Sequence, residues 1–349
     1  MSNNDTLNVG VHGLGWVAGA HIETFEAVEG AEVTAGSSRR DVTDEELEAT
    51  YGRPMTAYQE YEEMLADDSV DIIDICSPSQ FHTEQAIAAA EAGKDIILEK
   101  PIALNWEDAQ RLREAVERAG VDVCVCFEVR FSEQAETIHS SLEQGLLGEP
   151  HFAEIDYFHG IGPWYGQYSW NTKKEGGGSS LLSAGCHALD LLLWYIDSPV
   201  EEVTSYSTKS ESDYFEEYEY DTTSITMLQF EDGRVGKVSS VIDCLQPYYF
   251  RMHLVGSEGT VFDDKFYSEK LPGLDRDQWS QFGTPLVDSG DVEHHPYLPQ
   301  FQAFVEALNA DETMPRTDFE TAFESHRVIY AADRSVAEDR PVSLDEFES

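Results

Sequence analysis

The sequence has few basic side chains. Its 349 residues include 22 Lys and Arg against 68 Asp and Glu, which gives a formal net charge of −46 at pH 7. Nucleic acids and anionic membrane surfaces are bound through fields of Lys and Arg. We therefore expect neither as a partner.

Cysteine is scarce, and its pattern argues against a disulfide framework and against a metal site. The 5 cysteines are an odd number, lie in apolar runs and lack metal-ligand spacing. They are Cys76, Cys124, Cys126, Cys186 and Cys244. The sequence therefore predicts a reducing compartment and no metal centre.

Long apolar runs are also missing. No stretch reaches the roughly 18 apolar residues that suggest a membrane-spanning helix. The segment after Met1, Ser2–Thr6, is polar and unlike a signal peptide. We therefore expect a cytoplasmic protein with no membrane association.

The remaining composition indicates a folded protein. Apolar residues make up 41% and aromatic residues 11% of the chain, too much for a disordered acidic polymer. Excess charge of one sign repels itself, and molar salt shortens the screening length to about 3 Å. We interpret the chain as a halophilic protein; an acidic protein of an ordinary cell is the alternative.

The order of predicted elements divides the chain into two domains. Up to about residue 128, short β-branched runs alternate with helical patterns, which predicts parallel βαβ units in a doubly wound Rossmann sheet. Strands dominate afterwards, interrupted by a helical pattern over 181–196. We predict an α/β Rossmann domain over 1–128. Residues 129–349 are predicted to form an α+β domain with a largely antiparallel open sheet.

A glycine-rich turn follows the first predicted strand. Gly13, Gly15 and Ala18 match the pattern G-x-G-x-x-G/A. Gly13 permits the tight turn, and Gly15 lets the backbone approach a pyrophosphate at the helix N-terminus, where Trp16 and Val17 begin the helix. The motif predicts dinucleotide binding; a glycine-rich turn without a ligand is the alternative.

The end of the second strand predicts which dinucleotide binds. NAD enzymes usually place Asp or Glu there to accept from the ribose 2′-hydroxyl. This chain has Ser38, Arg39 and Arg40 and no acid until Asp41. Two guanidiniums suit a 2′-phosphate, so we expect NADP, with NAD as the second choice. The alternative is that both arginines only shield an acidic surface.

Two further strand ends carry candidate cofactor contacts, because ligands of open parallel sheets lie beyond the carboxyl ends of the strands. These contacts are Ser77, Pro78, His82, Glu99 and Lys100. A lysine at this edge can hydrogen-bond a substrate hydroxyl and accept its proton. Pro101, next in the chain, allows a cis peptide bond.

A polar face is predicted on the long downstream helix. Ser183, His187 and Asp190 have the spacing i, i+4, i+7, which places them on one side of an α-helix. The face suggests a cleft; a core histidine bonded to an aspartate is the alternative.

Aromatic residues cluster in the loop before this helix. Trp164, Tyr165 and Trp170 can stack on the C–H face of a sugar ring. A packed loop or a subunit contact would explain them equally well.

These motifs resemble, in order along nearly the whole chain, the Gfo/Idh/MocA oxidoreductase family, which includes inositol dehydrogenase and glucose–fructose oxidoreductase. The matching segments are Gly13–Gly15, Ser77–Pro78 with His82, Glu99–Pro101, Arg130–Phe131, Gly177–Asp190, 304–308 and 340–342. The resemblance implies a nicotinamide cofactor and sugar or polyol substrates. It also implies a homodimer or homotetramer formed through the C-terminal sheet.

The resemblance also implies site roles. Lys100 matches the catalytic lysine and His187 the catalytic histidine, and Arg130, Ser183 and His187 fall among expected substrate contacts. The family often has Asp four residues before the histidine, where this chain has Ser183. A hydroxyl holds no negative charge at neutral pH, so a carboxylate–histidine relay is unavailable there.

We therefore predict an NADP-dependent hydride transfer between the nicotinamide and a sugar or polyol hydroxyl. One alternative is redox-assisted glycoside hydrolysis, in which the hydride is removed and later returned. Another is a non-catalytic sugar- or nucleotide-sensing protein. Neither the particular substrate nor the direction of reaction follows from the sequence.

The charge of −46 predicts that stability depends on salt. The unfolding temperature should rise steeply between about 0.1 M and 2 M KCl, as the Debye length falls from about 10 Å to below 3 Å. Differential scanning calorimetry measures this. An uncharged osmolyte is the control, because exclusion of solutes also strengthens burial. An unfolding temperature that stays constant across the KCl series contradicts the halophilic interpretation.

Overall fold

The computed structural model describes residues 6–288 and 290–347, so the polar Ser2–Asp5 part of the first segment lies outside the described residues. The chain forms two compact units. The first comprises Met1–Glu128 and Pro296–Phe323, and the second Val129–His295 and Glu324–Ser349.

The first unit contains a six-stranded parallel sheet. Its strands are β1 Leu7–His12, β2 Ala31–Ser37, β3 Thr56–Tyr58, β4 Ile72–Ile75, β5 Asp95–Leu98 and β6 Val123–Val125. Their order is β3-β2-β1-β4-β5-β6, and every described neighbouring pair is parallel. This is the Rossmann order, which reverses between β1 and β4, and it confirms the predicted doubly wound sheet.

The helices follow the predicted alternation with local differences. They are α1 Trp16–Thr24, α2 Asp44–Tyr51, α3 Tyr61–Leu65, α4 His82–Glu91, α5 Trp106–Ala119, α6 Glu133–Glu143, α7 Tyr168–Asn171, α8 Lys174–Gly177, α9 Cys186–Ile196, α10 Tyr297–Ala310 and α11 Phe319–Glu338. The sequence analysis did not predict α2. Only Leu47 of this helix is buried, so it has no apolar period to detect. The capping box of Thr43 and Glu46 was the available signal.

Residues 296–323 pack with the first unit, which differs from the predicted domain 129–349. The rings of Phe301 and Phe25 stack at 5.2 Å. The Gln300 side-chain amide donates to the Val125 carbonyl at 2.8 Å. These contacts join residues far apart in sequence, and so no local pattern indicates them.

The second unit contains a nine-stranded sheet. Its strands are β7 Pro150–Phe158, β8 Val200–Thr208, β9 Thr223–Phe230, β10 Val235–Val241, β11 Tyr249–Gly256, β12 Gly259–Phe262, β13 Lys265–Ser268, β14 Ser280–Gln281 and β15 Val342–Ser343. The order is β14-β13-β12-β11-β7-β10-β9-β8-β15. Among the described strands of this second sheet, only β7 and β10 pair in parallel. The sheet is therefore largely antiparallel, as predicted.

One face of this sheet packs against α9. The stretch Lys174–Ile196 is long and apolar enough to cross a membrane by composition, but 78% of its most apolar window is buried inside the protein. Leu189, Leu191 and Leu192 of α9 have no exposed surface. This burial identifies the stretch as core of the second unit.

Candidate active site

Gly13 forms the turn that links β1 to α1 at the point where the strand order reverses. Its φ is +93°, and a Cβ at this position would lie 2.5 Å from the backbone nitrogen of Ser77. A side chain is therefore excluded by both the backbone conformation and the approach of the loop after β4. This contact brings two loops together at the carboxyl edge of the sheet.

The N-terminus of α1 fits a pyrophosphate. Gly15 is the N-cap residue, and among the described atoms a Cβ built there would meet only the Gly13 carbonyl oxygen, at 4.0 Å. The space beside the helix end is thus open, and helix N-termini attract anions through their free amides and dipole. Trp16 is 38% exposed and Val17 is buried, so of these two predicted contacts only Trp16 has an accessible side chain.

The end of β2 separates a structural serine from an exposed pair of arginines. The Ser37 hydroxyl lies 2.7 Å from His12 Nδ1 and is buried. Ser38 is half-buried, and Arg39 and Arg40 are exposed. The Arg39 guanidinium lies 4.9 Å from the centre of the Phe81 ring, which holds this cation at the carboxyl edge of the sheet.

A series of hydrogen bonds connects the loop after β4 with α4 and with the ends of β1 and β2. The Ser77 hydroxyl donates to Gln85 Oε1 at 2.5 Å, and Gln85 Nε2 lies 2.8 Å from His12 Nε2. Burial lowers the pKa of His12 to about 4, so its ring is neutral. Gln85 can then donate to Nε2 while the Nδ1 proton is donated to Ser37.

His82, a predicted cofactor contact, is buried between two loops. Its Nδ1 lies 2.7 Å from the Pro101 carbonyl oxygen and its Nε2 lies 2.8 Å from that of Ser77. The residue is 1% exposed, and burial lowers its pKa. Both ring nitrogens face backbone carbonyls, one in the loop after β4 and one in the loop after β5. A neutral ring has one N–H and donates to one of these two carbonyls. Pro78, which lies in the loop after β4, is half-buried.

Lys100 lies at the carboxyl end of β5, where the sequence analysis places it. The bond between Lys100 and Pro101 is cis. Lys100 Nζ lies 4.0 Å from Glu99 Oε2, and the two side chains are 14% and 8% exposed. Glu99 Oε1 accepts a hydrogen bond from the Tyr297 hydroxyl at 3.0 Å. Glu99 is thus bonded within the unit, whereas Lys100 stays partly accessible.

In the second unit, a π-helical turn precedes the helix that carries His187. Residues Leu181–Gly185 form this turn, and α9 starts immediately after it. Ser183 and His187 are therefore not related by the uninterrupted α-helical spacing that the sequence predicts. The Ser183 hydroxyl donates to Asn171 Oδ1 at 2.9 Å, and His187 is 5% exposed.

Arg130, a predicted substrate contact, is part of a buried ion pair. Its Nε donates to Asp190 Oδ2 at 2.6 Å, and one terminal nitrogen donates to Asp190 Oδ1 at 2.7 Å. Ser325 donates to the same carboxylate at 2.7 Å. With Arg130 and Asp190 4% and 1% exposed, this bidentate pair holds the core of the second unit.

The aromatic loop contributes one residue to a cavity. Trp164 is 58% exposed and donates from Nε1 to the Gly160 carbonyl at 2.9 Å. It lines a cavity of about 670 Å³ within the second unit. The other polar and aromatic lining residues include His159, Tyr248, Asp288, Asp291 and His294. Tyr165 packs edge-on to His159 at 5.1 Å, and Trp170 is half-buried; neither lines this cavity.

Two family profiles match consecutive parts of the chain. Residues 7–127 match an oxidoreductase family with an NAD-binding Rossmann fold, and residues 135–262 match the GFO/IDH/MocA C-terminal domain. The chain belongs to the Gfo/Idh/MocA oxidoreductase family. The resemblance stated from the motifs is thereby confirmed.

Relatives of this Gfo/Idh/MocA chain match over nearly its full length. Myo-inositol 2-dehydrogenase of Thermotoga maritima is 26% identical, with 97% of this chain and 99% of that protein covered. D-xylose 1-dehydrogenase (NADP(+)) 2 of Haloferax volcanii is 24% identical, with 90% and 92% covered. The crystal structure of a probable dehydrogenase from Thermotoga maritima superposes with a TM-score of 0.82 at 25% identity, covering 98% of this chain and 100% of that one.

Sequence reasoning missed several groups that the structure brings together in this Gfo/Idh/MocA protein. His21 and Tyr297 contact Glu99, the residue before Lys100, and Asp74 contacts His21. His159 and Tyr248 line the cavity. The position of His159 immediately after a strand was the available signal, but its partner Tyr248 comes from a different part of the chain.

Proposed function

We propose that the protein is an NADP-dependent dehydrogenase that acts on a hydroxyl group of a sugar or polyol. The observation that carries this proposal is the carboxyl edge of the parallel sheet. The Gly13 turn, the Arg39 guanidinium and Lys100 follow β1, β2 and β5, which all end at this edge. Inositol and xylose dehydrogenases among the relatives support the substrate class.

The cofactor preference rests on the residues after β2. Arg39 is exposed, positioned by Phe81, and able to form charge-assisted bonds to a phosphate. Ser37 is already bonded to His12, and no acidic residue stands between it and Asp41 to accept from a ribose hydroxyl. NADP is therefore the first choice and NAD the second. The Haloferax relative, named as an NADP(+) enzyme, supports this order.

Lys100 is the group we propose for proton transfer. Oxidation of an alcohol removes a hydride from carbon and a proton from oxygen. When bound, the nicotinamide supplies the acceptor for the hydride. Lys100 Nζ accepts the hydroxyl proton, and Glu99 at 4.0 Å keeps the amine in place. His187, the catalytic histidine by family resemblance, is proposed as a substrate-binding residue of the second unit.

The cavity of the second unit supports a carbohydrate substrate. Trp164 and Tyr248 offer aromatic surface, and Asp288 and Asp291 offer carboxylates. Aromatic faces pack on sugar C–H groups while carboxylates accept hydrogen bonds from hydroxyls. We propose that Trp164 contacts the substrate.

One specific observation favours a non-catalytic sensor as the second candidate. Ser183 replaces the acidic residue common in the family, and its hydroxyl is bonded to Asn171. A sensor would bind NADP and sugar without forming NADPH. Redox-assisted glycoside hydrolysis would release a sugar with no net reduction. A panel of sugars and polyols with NADP and NAD in molar KCl, followed by NADPH absorbance and product chromatography, separates the three.

We propose a cytoplasmic, halophilic homodimer or homotetramer. The open face of the second sheet supports the oligomer: Tyr206, Ile225 and Met227 are 62%, 47% and 49% exposed, and Tyr206 and Ile225 are directly paired across β8 and β9. Exposed apolar groups that are contiguous often mark interfaces.

Arg39→Ala should weaken NADP binding by about 1.5–3 kcal/mol, the contribution of hydrogen bonds to a charged group. NAD binding should stay nearly unchanged. Isothermal titration at fixed salt measures both. Arg118→Ala is the matched control, since Arg118 is an exposed arginine of the same unit paired with Glu91. Equal losses for NAD and NADP would show that Arg39 does not contact the 2′-phosphate.

Lys100→Met should retain NADP binding and lose about 10²–10⁴-fold in kcat, the usual effect of removing a general base. Lys100→Arg is the informative companion, because arginine keeps the charge but cannot give up its proton. Both variants should therefore be slow. If Lys100→Arg turns over at the normal rate, the lysine supplies charge and not proton transfer.

Met227→Glu should dissociate the oligomer, because a charge buried in an interface without a partner is strongly unfavourable. Light scattering after size exclusion measures the mass in molar KCl. Leu286→Glu is the control: Leu286 is 47% exposed but lies outside the strands. A wild-type mass of about 39 kDa would contradict the proposed oligomer.

A further inference from the structure

A histidine is completely buried in the first unit beneath Lys100. His21, on α1, has no exposed surface. Its Nδ1 lies 3.0 Å from both carboxylate oxygens of Asp74. Its Nε2 lies 3.3 Å from Glu99 Oε1, without the alignment of a hydrogen bond. The imidazole thus stands between two carboxylates.

The contacts continue from Glu99 to Lys100. The other carboxylate oxygen of Glu99 lies 4.0 Å from Lys100 Nζ. Asp74, His21, Glu99 and Lys100 therefore form a series of alternating charge that starts in the core and ends at the accessible lysine. In a poorly solvated site such charges interact more strongly than in water.

The surroundings favour the protonated imidazole. Burial by itself disfavours a charged ring, but Asp74 together with the Cys76 sulfur outweighs it, and the pKa of His21 is raised well above its ordinary value. The rings of Tyr297 and Phe301 on α10 pack edge-on to the imidazole at 4.3 and 4.9 Å. These contacts exclude water and hold the ring between its partners.

The other titratable groups near this series are uncharged at neutral pH. Burial raises the pKa of the Tyr297 phenol and of the thiols of Cys76, Cys124 and Cys126. Burial, together with Glu99, raises the pKa of Glu128 to about 8. Burial also lowers the pKa of His82 on α4, which interacts with Glu99 and Lys100. The groups that face His21, Glu99 or Lys100 are therefore Asp74, Cys76, His82, Glu99, Lys100, Cys124, Cys126, Glu128 and Tyr297. The four members of the series are thus its principal charges.

We propose that His21 is a positioning residue for proton transfer at Lys100, acting through Glu99 by means of a permanent positive charge in the core. This inference rests on the proposed function of Lys100. The imidazolium holds Glu99 ionised and oriented, and Glu99 in turn anchors the lysine. It also offsets the attraction of the carboxylate for the lysine proton.

Loss of the charge on His21 would leave Glu99 acting on Lys100 without compensation. An uncompensated carboxylate favours the ammonium form, so the pKa of Lys100 should rise, by an amount on the order of one unit at the dielectric of a partly buried site. Alcohol oxidation requires the free amine. The acid limb of the pH–kcat profile should therefore move to higher pH, and kcat below the limb should fall about tenfold.

The test compares three variants of the full chain. His21→Gln removes the charge directly. Asp74→Asn weakens it indirectly, because removing the nearer of the two carboxylates lowers the pKa of the buried imidazole, and the amide matches the carboxylate in size. Phe301→Leu is the control, since it loosens the packing on His21 and keeps every charge. Each variant is labelled with ¹³Cε-lysine, and Lys100→Met identifies the Lys100 signal.

The expected result is a higher Lys100 pKa by NMR in His21→Gln and Asp74→Asn, and the wild-type pKa in Phe301→Leu. The acid limb of kcat should move in parallel. If Lys100 titrates alike in all of them, or if only Phe301→Leu differs from wild type, the proposal is overturned. Should His21→Gln fail to fold, Asp74→Asn alone decides.

The NMR measurement needs no substrate, so it separates this inference from the proposed function. A protein that oxidises no sugar or polyol but shows the Lys100 shift would contradict the proposed function and retain the electrostatic coupling. A protein with normal turnover and an unshifted Lys100 would retain the function and refute the role of His21.

Discussion

The close approach of Gly13 to the Ser77 backbone is the constraint on which the candidate site depends. A Cβ at residue 13 would lie 2.5 Å from the Ser77 nitrogen, so the loops after β1 and β4 meet only because glycine is present. Their meeting point is where the strand order reverses. Gly15 and α1 follow the first of these loops. The loop after β4 is in turn close to the loop that contains Lys100, because His82 lies against a carbonyl of each.

Two polar residues that the sequence predicts as ligand contacts are buried against other parts of the scaffold. His82 joins two backbone carbonyls, and Arg130 is paired with Asp190. A buried polar group is costly unless it has partners, so such residues are retained for the partners that they satisfy. Within each unit, these residues help to hold the segments that carry Lys100 and His187.

The distribution of charge differs between surface and interior. The surface carries the large acidic excess, whereas the buried charges that we describe are matched: Asp74 with His21, Glu99 with Lys100, and Asp190 with Arg130. Salt screens exposed charges far more than buried ones. A change in ionic strength should therefore alter the stability of the fold more than the electrostatics beneath Lys100.

The sequence alone determined the features that depend on local order. Alternation of strands and helices predicted the parallel sheet, the glycine spacing predicted the turn at Gly13, and the position of Lys100 after a strand placed it at the carboxyl edge. Only the tertiary structure decided which polar residues face each other. His21 lies 53 residues from Asp74 and Tyr297 lies 198 residues from Glu99. Such partners are chosen by packing between distant segments, and no period or spacing in the chain records them.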